Sequence, residues 1–100
     1  MEATKRIEKE DISSLSFPKE EVLTTEEGKN KRKQMLEMAE DYGNEAQYKV
    51  KIVFEDQGGP KVVHTTIWDV DKKNVFLKEN VTIPIHRIRK IVFPEVSLDS

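Results

Sequence analysis

The closing stretch Thr82–Phe93 constrains the fold more than any other part of the chain. Its apolar residues alternate at Ile83 and Ile85, and the alternation then slips by one residue to Ile88. In one continuous strand this slip would bury two arginines beside the isoleucines. A single turn of 3₁₀ helix from Ile85 to Ile88 removes the conflict, because residues three apart eclipse in that geometry and both isoleucines face inward. The pattern predicts two short strands joined by a 3₁₀ turn.

The region before this stretch has the pattern of a β-meander. Tyr48–Glu55 alternates apolar and charged residues, as a half-buried strand does. Lys61–Val70 is long and β-branched on both faces, which is typical of a bent strand shared between two halves of a barrel. The remaining predicted elements are turns at Asp56–Pro60, Asp71–Asn74 and Glu79–Asn80 and strands at Val75–Lys78 and Val81–Ile85. The predicted fold is mainly β, a five-stranded antiparallel barrel, since closure removes exposed edges.

A helix is predicted to precede the strands. Either Thr24 or Thr25 suits the N-cap, and Thr24 with Glu27 has the spacing of a capping box. Apolar residues at helical spacing then continue to Tyr42, so the helix should run from about Glu26 to Tyr42. Gly43-Asn44 is predicted to cap its C-terminus, because glycine adopts the left-handed conformation at little cost.

Three segments are predicted along the chain. Residues 1–23 form a flexible, charged and acidic arm without lasting periodicity, residues 24–94 form the helix and barrel, and residues 95–100 form a flexible tail. Within the arm, Leu15 and Phe17 offer an alternative, in which a short extended piece docks on the barrel or orders on a partner.

Charge divides the chain into an acidic and a basic half. Residues 1–47 hold 8 Lys/Arg and 12 Asp/Glu, whereas residues 48–93 hold 9 Lys/Arg and 5 Asp/Glu. This split indicates a basic binding surface on the folded part, an acidic arm lying over it, or two halves that are simply solvated. The chain has no cysteine, no apolar run of membrane-spanning length and no signal-peptide pattern, so a cytoplasmic protein with no membrane contact is expected.

Three stretches resemble the small Sm-like and SH3-like barrels. Tyr48–Glu55 resembles their first strand, Ile67–Asp71 the end of their second, and Thr82–Ile88 their closing isoleucine-proline turn. A helix followed by such a meander is also similar to the layout of the bacterial Rho-binding antiterminator family. The resemblance covers roughly residues 26–93. It implies a non-catalytic module that binds RNA or protein, or a homo-oligomer paired through its fourth and fifth strands.

Catalytic, cofactor and metal sites are not predicted. His64 and His86 are the only histidines, and neither has a second metal ligand at suitable spacing. The serines cluster in the arm and the tail, where preorganised catalysis is not expected. The chain is therefore predicted not to be an enzyme.

The predicted binding site is a basic rim at the closing turn. Arginine suits phosphate through its planar fork, and an exposed tryptophan can stack on a base. The predicted residues are His86, Arg87, Arg89, Lys90, Lys72, Lys73 and Trp68, with Lys49 and Lys51 as an extension. The alternatives are that the arginines are ordinary surface residues, that Trp68 belongs to the core, and that the chain self-associates with no nucleic-acid role.

Overall fold

The computed structural model describes residues 4–46 and 48–94, which form a strand-rich α+β domain with one long helix. The helix is α1 (Glu26–Ala46), and the strands are β1 (Lys5–Arg6), β2 (Val50–Asp56), β3 (Gly59–Thr65), β4 (Ile67–Val70), β5 (Asn74–Leu77), β6 (Thr82–Pro84) and β7 (Ile88–Val92). Within the described ranges, no helix is long and apolar enough to cross a membrane.

The strands form two sheets joined by a bent strand. One sheet has the order β1-β3-β2-β7 and the other the order β4-β5-β6. Only Thr66 separates β3 from β4, so the predicted long, bent strand is confirmed. Within the described residues no ladder joins β6 to β7, and the pairing that would close a barrel is not found there.

The core lies between the sheets and α1. On β2 the side chains of Val50, Ile52 and Phe54 are buried, as the alternation predicted. The tight turn after β2 depends on Gly59, whose φ of 114° favours glycine. The other buried apolar residues are Ile12, Leu36, Ala39, Val63, Ile67, Val75, Leu77, Ile83, Ile88 and Ile91.

The predicted 3₁₀ turn is confirmed between β6 and β7, where it spans Ile85–Arg87. Ile88 follows it and is fully buried, and Ile85 packs against the core at partial exposure. The frame slip in the sequence therefore marks the point where the chain leaves one sheet for the other.

Helix α1 begins as predicted but ends later. Thr25 caps it, since its Oγ1 accepts a hydrogen bond from the Gly28 amide at 3.0 Å. The prediction that Gly43 caps the C-terminus is wrong, because α1 continues through it to Ala46. A Cβ at Gly43 would lie 2.0 Å from the carbonyl oxygen of Ile67, so the glycine permits close approach of α1 to β4.

The N-terminal segment, residues 4–23, packs on the sheets, although the sequence placed the start of the folded unit at residue 24. Lys5–Arg6 pairs in parallel with β3, and Ile12 is only 2% exposed. Leu15 and Phe17 pack against the core, which agrees with the docking alternative. The periodicity of the sequence does not predict that this segment is folded, because its contacts with the core come from single apolar residues and not from a repeating face. The predicted tail, residues 95–100, lies outside the described residues.

Candidate nucleic-acid interface

The outward face of the four-stranded sheet carries its residues in two cross-strand rows. In the first row Lys51 lies opposite Val92 on one side and His64 on the other. Directly paired residues of a sheet share a face, so these side chains are neighbours. Lys49, two positions before Lys51, continues the same face and lines a shallow cavity with Lys51 and His64.

The second row adds two cations across all four strands. Val53 lies opposite Lys90 on β7 and opposite Val62 on β3. Val62 in turn lies beside Arg6, because β1 pairs in parallel with β3. The parallel pairing therefore brings a residue of the N-terminal segment onto the same face as Lys90.

We call Arg6, Lys49, Lys51, His64 and Lys90 the basic sheet face. All five side chains are exposed. In the described residues of these four strands, Glu55 is the one carboxylate on this face. It forms an ion pair with Arg89. Within these four strands, the cations of the basic sheet face therefore have no paired carboxylate.

The pKa of His64 reflects the positive charge of this face. Burial lowers the pKa of its imidazole, and the positive charges of Lys49, Arg6 and Lys51 lower that pKa further. Near neutral pH the ring is therefore uncharged, and it presents one donor and one acceptor nitrogen. Such a group suits hydrogen bonding at the centre of a cationic surface.

Trp68 lies on the surface and not in the core. Its side chain is 50% exposed. Ile67 pairs with Leu77 and Asp69 with Phe76, so Trp68 is the extra residue of a β-bulge on β4. Bulges redirect side chains, and this one turns the indole outward.

A cavity of about 360 Å³ adjoins the indole and connects it to the basic sheet face. Its lining residues are Glu8, Lys9, Glu10, Lys49, His64, Thr65, Thr66, Trp68, Lys78 and Glu79. The structure therefore brings Trp68 together with Lys49 and His64, whereas the sequence grouped Trp68 with the closing turn.

Arg87 is buried and links separate segments of the chain. The prediction that the 3₁₀ turn between β6 and β7 exposes this side chain to a partner is wrong. Its side chain is 8% exposed. Its Nη1 donates to the carbonyl oxygen of Glu20 at 2.7 Å, and its Nε donates to that of Glu55 at 2.9 Å. The guanidinium joins the N-terminal segment to β2, so it is not available to a ligand.

The other predicted rim residues do not form one site. His86 donates from Nε2 to the carbonyl oxygen of Pro18 at 2.9 Å, which ties it to the N-terminal segment. His86, Lys72 and Lys73 line a separate cavity of about 510 Å³. Lys90 belongs to the basic sheet face, and Arg89 is exposed but paired with a carboxylate.

Sequence reasoning missed Arg6 and gave His64 no role in the site. Arg6 stands in a segment without periodicity, and only its pairing with β3 reveals its place. His64 alternates with buried residues on β3, which signals an outward position but not its neighbours. In residues 4–46 and 48–94, no cluster of three or more metal-ligating side chains occurs.

Comparison of the chain with protein-family models, with curated proteins and with solved structures found no match.

Proposed function

We propose that this protein is a non-catalytic cytoplasmic module that binds RNA through the basic sheet face. The main support for this proposal is the clustering of four cations on one face of a sheet, namely Arg6, Lys49, Lys51 and Lys90. The carboxylate of Glu55, which lies on the same face, is already paired with Arg89. Several cations spread over one surface suit a phosphate backbone, which presents many charges in a row.

The dimensions of the face favour a polyanion over a single acidic side chain. Arg6 and Lys90 stand on the two edge strands, three strand spacings or about 14 Å apart. Between them lie Val53 and Val62, which are small and only partly buried. A flat apolar strip bordered by cations accommodates a backbone that crosses the strands.

A small-barrel fold of the Sm-like or SH3-like type is part of the same proposal. When β3 and β4 are counted as one bent strand, β2, β3/β4, β5 and β6 pair in chain order as a meander, and β7 returns to pair with β2. The 3₁₀ turn between β6 and β7 supports the resemblance further. The layout is similar to that of the Rho-binding antiterminator family, to which the sequence also has a resemblance of layout.

The test is the salt dependence of binding to a labelled single-stranded RNA of mixed sequence, followed by fluorescence anisotropy. Removing Lys51 and Lys90 together (Lys51→Gln with Lys90→Gln) should lower affinity on the order of ten-fold at 0.1 M salt. The slope of log affinity against log salt should become shallower by about 1.4, because two phosphate contacts are lost.

The matched control is Lys31→Gln with Lys33→Gln, which removes the same charge from exposed positions on α1. It should leave both affinity and slope near those of the unchanged protein. Equal losses in the two double variants would mean that net charge and not the basic sheet face drives binding. Absence of salt-dependent binding would reject the RNA proposal and favour a protein partner.

Self-association is a second candidate, supported by the strand edges. Among the described residues β6 pairs only with β5, and β7 pairs only with β2, so each has a free outer edge that a second copy can extend. Pro84 on β6 removes one N–H from that edge. Light scattering after size exclusion distinguishes the candidates, since a stable oligomer without RNA binding would replace the first proposal with this one.

A further inference from the structure

Trp68 is an exposed aromatic side chain at the border of the basic sheet face. Its indole is half exposed although tryptophan is highly buried on average, and a bulge in β4 accounts for its outward position. The cavity beside it is also lined by Lys49 and by the exposed imidazole of His64. An aromatic plane, a cation and hydrogen-bonding groups are thus within one site.

The charges around this cavity differ from those on the sheet. Glu8, Glu10 and Glu79 line it together with Lys9, and Lys9 Nζ lies 3.3 Å from Glu79 and 3.9 Å from Glu10. Carboxylates repel phosphate, so the cavity is a poor place for the backbone of a nucleic acid. An uncharged base meets no such repulsion and gains stacking area on the indole.

We propose that the RNA bound by this protein is single-stranded and that one of its bases stacks on Trp68 while its phosphates lie on the basic sheet face. This inference rests on the proposed function. A base within a duplex is stacked on its neighbours and is not available to a side chain, whereas an unpaired base is. The exposed imidazole of His64 lines the same cavity and is placed to hydrogen-bond the base edge, and Lys51, directly opposite His64 on β2, is placed to contact the adjoining phosphate.

Intrinsic fluorescence gives a direct test, because Trp68 is the only tryptophan of the chain. Titration with a 12-nucleotide oligouridylate should quench the tryptophan emission as the complex forms. A 12-base-pair RNA duplex at the same salt concentration should bind more weakly and leave the emission nearly unchanged. Quenching by the duplex equal to that by the single strand would overturn the inference.

Two substitutions separate stacking from simple apolar contact. Trp68→Phe keeps an aromatic plane, and Trp68→Leu keeps an apolar side chain without one. By anisotropy with labelled oligouridylate, Trp68→Leu should lose affinity on the order of ten-fold, and Trp68→Phe should lose clearly less. Neither should alter the salt slope, because the phosphate contacts remain.

The outcomes also distinguish this inference from the proposed function. Salt-dependent binding without quenching, and with Trp68→Leu as tight as the unchanged protein, would reject base stacking and leave the RNA-binding proposal standing. No salt-dependent binding to either RNA would reject both. Circular dichroism of each variant checks that the exposed position tolerates the change.

Discussion

At the residue scale, the pairing of Arg32 with Glu21 shows how a charged side chain can be part of the core. Arg32 is 7% exposed, and its two terminal nitrogens donate to the two carboxylate oxygens of Glu21 at 2.7 Å. Nη1 also donates to the carbonyl oxygen of Ile88 at 3.0 Å. The pair links the N-terminal segment, α1 and β7. Breaking it would leave a buried cation without its partner, which is costly.

The pH dependence of stability follows from this pair. Hydrogen bonds from Arg32 lower the pKa of Glu21 from 4.5 to about 2. Because the folded pKa is depressed, the contribution is complete above pH 4.5 and is lost as pH falls toward 2. The difference in free energy of unfolding between the unchanged protein and Glu21→Gln should be about 3 kcal/mol near pH 7 and should shrink across that window.

Urea denaturation at a series of pH values measures this difference. Glu45→Gln is the control, since Glu45 is an exposed carboxylate on α1. Its difference from the unchanged protein should stay small at every pH. A Glu21→Gln difference that does not change between pH 5 and pH 2 would contradict the assignment.

At the element scale, α1 is positioned by one close backbone contact. Gly43 lies against the carbonyl of Ile67, and the next strand residue is the outward Trp68. The amide of Val70, at the end of β4, donates to Glu40 Oε2 at 3.0 Å, which fixes the same face of α1. The helix therefore holds β4, the strand that carries the bulge, and through it the orientation of the indole.

Substitution of Gly43 tests this contact. Gly43→Ala should reduce the free energy of unfolding by about 2–3 kcal/mol, because the new methyl group would overlap the Ile67 carbonyl and force α1 away from β4. Asn44→Ala is the matched control, one position along on the exposed side of the same helix, and should be neutral or slightly stabilising. Denaturant midpoints measure both, and a tolerated Gly43→Ala would show that no close approach is required.

At the scale of the whole molecule, Arg87 connects distant parts of the chain. It joins Glu20 to Glu55, while the amide of Val22 donates to the carbonyl of His86 at 3.0 Å. These bonds hold the N-terminal segment on the sheets, and the same segment supplies Arg6 to the basic sheet face. The turn between β6 and β7 therefore supports the proposed site without belonging to it.

Arg87 and Arg89 offer a matched pair for testing this support. Arg87→Met should lower the free energy of unfolding by about 2–4 kcal/mol, because two charge-assisted hydrogen bonds are lost. Arg89→Met removes the same charge from an exposed ion pair and should cost about 1 kcal/mol or less. Denaturation gives both values, and limited proteolysis should show faster cleavage within residues 4–23 only for Arg87→Met. Equal losses of stability and equal cleavage in the two variants would show that Arg87 does not anchor the N-terminal segment.

Local pattern determined several elements of this protein without tertiary information. The alternation of β2, the bend in Lys61–Val70, the start of α1 at Glu26 and the 3₁₀ turn before Ile88 all follow from the sequence. Each depends on neighbours within a few residues, where side-chain period and backbone geometry are linked directly. Lys90, Lys49 and Lys51 were also assigned outward positions correctly for this reason.

Tertiary structure alone decided the composition of the candidate site. Arg6 reaches it through parallel pairing with β3, across more than 50 positions of chain. The burial of Arg87 depends on carbonyl groups from two other segments, and the exposure of Trp68 depends on how β4 pairs with β5. Charge and periodicity identify which residues can bind, but burial and pairing with distant strands decide which of them face a partner.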